Sequence, residues 1–179
     1  MNEAVQEFIE SHIELIDKND FTSLYIKATT IWTFPDNNNT SILTETLLDA
    51  SINPLDYMDY IPLCMFWNSN ISTIDIPETI TFIENDAFFG SQLTQVSIPA
   101  SCDSIGPNAF AMCHNLNKII ILNPNIDLDN ETFSESPIKY ITYNGTIAQW
   151  ITISKDLILP EKYLLQANDN FIIIHTRKS

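Results

Sequence analysis

The stretch Leu93–Cys113, LTQVSIPASCDSIGPNAFAMC, decides the fold. Apolar residues stand at Leu93, Val96 and Ile98 and again at Cys102 and Ile105, and Phe110 closes the run. The same spacing precedes it in Ile71, Ile74, Ile76, Ile80, Ile83 and Phe88. It follows, with one slipped position, in Leu116, Ile119, Ile121, Ile126, Leu128 and Phe133, and Ile138, Ile141 and Tyr143 begin another copy. Phe88, Phe110 and Phe133 therefore fall 22 and 23 residues apart. A fixed period in the twenties marks a solenoid, in which each unit buries its apolar face only against its neighbours.

Within each unit the opening segment alternates apolar and polar residues, which predicts a strand. Pro77 and Pro99 follow directly and stop the pairing. The pairs Ala87-Phe88 and Ala109-Phe110 fall in the return leg, where a small and a bulky side chain fill the space between stacked coils. The three glycines, Gly90, Gly106 and Gly145, lie in repeat turns.

A solenoid exposes an apolar cross-section at both ends and needs lids. Upstream, Val5, Phe8, Ile9, His12, Ile13 and Ile16 follow helical spacing, and Asp20 caps a second helix carrying Phe21, Leu24, Tyr25 and Ala28. After Pro35 and a polar loop, a third helix runs to Ala50, and Asn53-Pro54 opens a further helical turn. Downstream, the apolar runs Tyr163–Leu165 and Phe171–Ile174 flank a turn-forming Ala-Asn-Asp and predict a hairpin. The expected organisation is an α/β (α+β) solenoid of about four repeats with a parallel sheet over residues 71–153. An acidic helical cap over 1–70 and a hairpin cap over 154–179 complete it.

Composition narrows the function. Of 179 residues, 45% are hydrophobic and 17% charged, which is globular. Eight basic residues against 23 acidic ones leave a net charge of −15. That balance opposes direct binding to nucleic acid or an anionic membrane, both of which need Lys and Arg. Residues 1–70 hold 11 acids against Lys18 and Lys27, and residues 71–179 hold 12 against six bases, so the helical segment is the more acidic. The start, MNEAVQEFIESHIELI, has acids where a secretory signal has an unbroken apolar stretch, which predicts a cytoplasmic location. Cys64, Cys102 and Cys113 lack zinc spacing and are too few for a disulfide framework; Cys102 and Cys113 sit at inward positions and read as small buried hydrophobes.

Leu93, Val96, Ile98, Pro99, Ile105, Gly106, Ala109, Phe110 and Cys113 stand where the BspA-type (Treponema-type) leucine-rich repeat places its residues, and residues 71 to about 175 resemble that family. The first repeat keeps Pro77, Thr81, Ile83, Ala87 and Phe88 but has Glu84 for the Gly; the third has Leu122 for the Pro and Thr132 for the Ala. ITYNGTIAQW, from Ile141 to Trp150, is similar to the end of such arrays. The resemblance implies a curved solenoid with a parallel sheet, used to bind protein or glycan ligands, often at a cell surface. INPLDYMDYIP looks like the start of repeat proteins of Gram-positive prophages, which implies a phage protein acting inside a bacterial host.

No nucleophile elbow, phosphate-binding loop or zinc pattern occurs, so the chain reads as non-enzymatic, with no cofactor. Asp127, Asp129 and Glu131 imitate a calcium loop, but Asn130 stands where that loop needs Gly and Ser136 where it needs a bidentate Glu. His12, His114 and His175 read as structural, Asp56 and Asp59 as a solvated face, and the sequons at Asn38, Asn70, Asn130 and Asn144 as turns. If the alternating apolar residues face inward, Thr73, Asp75, Gln95, Ser97, Lys118, Ile120, Tyr140 and Thr142 form an outward ladder. Ile120 beside Tyr140 suits a protein interface. The leading expectation is a protein-binding module that docks its partner on this ladder. The alternative is an inhibitor whose acidic surface, Glu3, Glu7, Glu10, Glu14 and Asp17, blocks a basic host nuclease or other nucleic-acid-binding protein. A cell-surface adhesin would need an export signal.

Overall fold

The computed structural model describes residues 53–176. The chain winds as a solenoid of about five turns, with two sheets running along its length. One sheet joins the short strands β1 (Tyr60–Ile61), β2 (Phe82–Ile83), β4 (Ser104–Ile105) and β6 (Asp127–Leu128), all parallel. The other joins β3 (Gln95–Ile98), β5 (Lys118–Ile121), β7 (Tyr140–Tyr143) and β8 (Lys162–Gln166) in parallel and ends on the antiparallel β9 (Phe171–His175). The parallel leucine-rich solenoid is thus observed. The expected helices before Asn53 lie outside the described residues.

The repeat positions fill the interior as their period demands. Ile61, Ile83 and Ile105 face inward in register from the first sheet, and Val96, Ile119 and Ile141 from the second. Between them runs a stack of rings. Phe66, Phe88, Phe110 and Phe133 are all buried, with successive centroids 4.6, 4.8 and 5.8 Å apart. Among the described residues the spine therefore extends back to Phe66, one coil ahead of the repeat that starts at Ile71.

Three residues after each ring sits a small side chain: Ser69, Ser91, Cys113 and Ser136, all buried. Ser136 Oγ accepts from Cys113 N at 3.0 Å and donates to Phe110 O at 2.7 Å. Cys113 Sγ likewise donates to Phe88 O at 3.0 Å. Cys113 and Ser136 thus satisfy buried backbone polar atoms where coils meet, which an apolar side chain of the same size could not do, whereas Ser91 Oγ contacts only Cys113 Sγ and Ser69 Oγ is buried without a hydrogen-bond partner.

Each return leg also bends through left-handed residues. Cys64, Asp86 and Asn108 have φ near +56°, and Asn68, Gly90, Met112 and Glu135 occupy a second such position four residues on. Only one of these is glycine, although the left-handed region costs other residues about 1–2 kcal/mol. Packing on the neighbouring coil imposes the shape. Gly106 is demanded by a different constraint, because a Cβ there would lie 2.4 Å from Asn85 Oδ1 and 3.1 Å from Asn85 N.

One local expectation is revised, and one element is added. Residues 71–76 open the first repeat with strand-like alternation but are not paired as a strand. Ser72 O accepts from Thr94 N and Oγ1, and Asp75 O from Asn53 Nδ2, so these carbonyls are used without a continuous ladder. Further along, the fourth repeat replaces its short strand by α1 (Ile147–Ile153). A capping box starts this helix: Gln149 N donates to Thr146 Oγ1, and Thr146 N to Gln149 Oε1. Trp150 projects from it into the core, tilted on Tyr143 and donating Nε1 to Tyr163 Oη at 3.0 Å. With the β8–β9 hairpin, which the sequence predicts, it closes the downstream end. The predicted turn at Asn53-Pro54 is a 3-10 helix, Pro54–Tyr57, capped by the Asn53 side chain.

Candidate protein-binding face

The register of the five-stranded sheet sets its outward side chains in rows. One row reads Gln95, Lys118, Tyr140, Leu164 and Ile173; the next reads Ser97, Ile120, Thr142, Gln166 and Phe171. Alternation along each strand puts these residues opposite the buried set, as the burial patterns show. Six of the eight ladder residues expected from sequence are thus brought together on adjacent strands. Thr73 and Asp75 are exposed too, but on the unpaired segment before β3. The acidic set Glu3, Glu7, Glu10, Glu14 and Asp17 lies outside the described residues.

The face extends further than the sequence suggested. Leu164, Ile173 and Phe171, on the two hairpin strands, continue the apolar centre begun by Ile120 and Tyr140. Tyr140 is 48% exposed, Ile173 51% and Phe171 58%. Such side chains in one contiguous group form the kind of patch that marks an interaction site rather than scattered surface apolarity. Lys118, Lys162 and His175 border it, and no residue whose side chain faces outward from the five strands is Asp or Glu. The apolar runs in KYLLQ and FIIIH were the signal for two strands, and which of their side chains face outward follows once the hairpin is paired into the same sheet.

The opposite sheet has a different character. Tyr60 and Phe82 stack face to face at 4.6 Å, and Phe82 is 36% exposed. Beside them a groove of about 740 Å³ is lined by Phe82, Pro107, Glu84, Asp127, Asp129 and Asp156 among others. Partial burial, then Glu84 and Asp59, push the Tyr60 phenol upward, consistent with the negative field there. Glu84 Oε2 is already engaged by Leu63 N, and Asp129 Oδ1 by Glu131 N. The latter is a local turn contact.

The thiols have no exposed reactive form. Burial pushes Cys64 up to about 11 and Cys102 up to about 12, and raises Cys113 despite its contacts with the Ser91 and Ser136 hydroxyls. A thiol held protonated is a poor nucleophile at neutral pH.

A repeat of 22 or 23 residues, paired parallel strands, a phenylalanine spine and a Ser/Cys column now stand together. The family description BspA type Leucine rich repeat region matches residues 43–155, in 6 copies, more than half of the chain. The chain belongs to the BspA-type leucine-rich repeat family. No curated protein and no solved structure matches it. Solenoids of this family are interaction scaffolds, and the described residues contain no helix long and apolar enough to cross a membrane.

Proposed function

We propose that this BspA-type repeat protein is a non-enzymatic module that holds a protein partner against the outward face of its five-stranded sheet. The observation that carries this reading is the contiguous patch of Ile120, Tyr140, Leu164, Ile173 and Phe171 on an otherwise polar sheet. Tyr140 supplies a rigid aromatic anchor at its centre, and the polar ladder residues Gln95, Ser97, Lys118 and Thr142 form the rim. The absence of carboxylates there suits an apolar or mildly acidic partner surface. In this reading the chain acts inside a bacterial cell, as a phage protein on a host factor.

The test is affinity capture from the native host with mass spectrometric identification, comparing the wild type with Ile120→Lys and Tyr140→Lys. Loss of an interface anchor costs about 2 kcal/mol or more, roughly thirty-fold in affinity. A partner captured equally by all three proteins would overturn the reading. The acidic groove beside Tyr60 and Phe82 favours a second reading, a basic partner such as a nucleic-acid-binding protein. Salt separates the two: binding through the groove weakens steeply between about 50 and 200 mM salt, whereas docking on the sheet changes little.

A further inference from the structure

β9 is the outer strand of the five-stranded sheet, and among the described residues nothing pairs with its far side. Hydrogen-bond parity decides which of its backbone groups are engaged. Thr176 N donates to Glu161 O and Ala167 N to Asn170 O, each at 2.9 Å. Hydrogen-bonded pairs alternate along an antiparallel ladder. With Tyr163 opposite Ile174 and Leu165 opposite Ile172, the backbone groups of Ile172 and Ile174 face β8. Those of Phe171, Ile173 and His175 face away, and Asn170 Oδ1 accepts from Phe171 N at 2.7 Å.

Soluble proteins guard such an edge with lysine, proline, a bulge or a covering segment. Phe171–His175 contains no lysine, proline or carboxylate and pairs with β8 without a bulge. We infer that two copies of this chain associate by antiparallel pairing of β9 with β9 about a two-fold axis at Ile173. The strand is complementary to itself in that register. Ile173 meets its own copy and exchanges both backbone hydrogen bonds, while each His175 N–H meets the other copy's Phe171 carbonyl. Ile173 then packs on its own copy and Phe171 lies across from the other copy's His175, which joins the two sheet faces into one strip. A two-fold interface of this kind closes at the dimer. It shares Phe171 and Ile173 with the face proposed above but pairs through the β9 backbone edge, and its test reads the mass of this chain alone, with no partner present.

Sedimentation equilibrium of the full chain from about 1 to 100 μM, at about 50 and 500 mM salt, tests this. The expected mass rises from 20.4 kDa to twice that and no further. Association is tighter at high salt, which screens the net charge of −15. Ile173→Pro removes an outward N–H that β8 does not use, and Ile173→Lys sets two like charges at the axis; both stay monomeric. Ile173→Cys cross-links to its own copy under mild oxidation, since the three native cysteines are buried. Gln95→Cys, at the other end of the sheet, does not. Monomer throughout the range, growth beyond the dimer, a dimer that survives Ile173→Lys, or equal cross-linking of Gln95→Cys would each overturn the inference.

Discussion

Truncating Phe110 tests the spine at its centre. The ring is fully buried and stacks on Phe88 at 4.8 Å and 7° and on Phe133 at 5.8 Å and 20°. Replacing a buried Phe by Ala costs about 3–5 kcal/mol from lost transfer and the cavity left behind. Each aromatic pair adds about 0.5–1.5 kcal/mol beyond area. Flanked on both sides, Phe110 belongs near the top of that range, so Phe110→Ala is expected to cost about 5 kcal/mol. Phe66 has one ring partner among the described residues, Phe88 at 4.6 Å, and Phe66→Ala is expected to cost about 1 kcal/mol less. Phe82 stacks equally closely on Tyr60 but at the surface; Phe82→Ala is expected to cost about 1 kcal/mol. Urea unfolding followed by tryptophan fluorescence, with slopes checked for two-state behaviour, ranks the three. A Phe110→Ala cost below about 2 kcal/mol, or no larger than that of Phe82→Ala, would refute the claim that the stacked rings hold the coils together.

Three further outcomes follow from the same interior. Ser136→Ala leaves Cys113 N and Phe110 O unpaired in the core and should cost about 1–3 kcal/mol in the same urea assay, whereas Ser91→Ala, which loses only a 3.4 Å contact to a sulfur, should cost less. Gly106→Ala drives a Cβ against Asn85 and should lower stability by about 1–3 kcal/mol, read as a drop in Tm. Burial holds Cys102 protonated up to about 12 in the fold, while the unfolded thiol ionises at about 8.5. Above that lower value the unfolded state binds fewer protons, so stability falls as pH rises. Cys102→Ala should flatten the alkaline limb between about pH 8.5 and the folded value, as thermal melts across that range would show.

The outward face shows where reading from sequence stops. Gln95, Ser97, Lys118, Ile120, Tyr140 and Thr142 were legible because alternation along one strand tells inside from outside without knowledge of any partner strand. Leu164, Phe171 and Ile173 lie in continuous apolar runs that do not by themselves tell inside from outside, and nothing local says that the hairpin joins the same sheet as β7. The unpaired segment at Thr73 and Asp75 is the reverse case, a strand-like pattern whose backbone acceptors are taken by Thr94 and Asn53 instead. The helix at Ile147–Ile153 had a readable start in Thr146 and Gln149, but the repeat pattern competed with it.

By itself the sequence determined the period, the inward set and the ring spine, because each depends on spacing that recurs every 22 or 23 residues. The tertiary structure alone decided which strands are neighbours, how far the apolar face extends and which strand is outermost among the described residues. Outside the β8–β9 hairpin, these properties arise between residues more than 20 positions apart, where hydrogen bonding from one coil to the next overrides local preference. The left-handed backbone at Cys64, Met112 and Glu135 makes the same point. No propensity of those residues asks for it, and the fit of one coil on the next requires it.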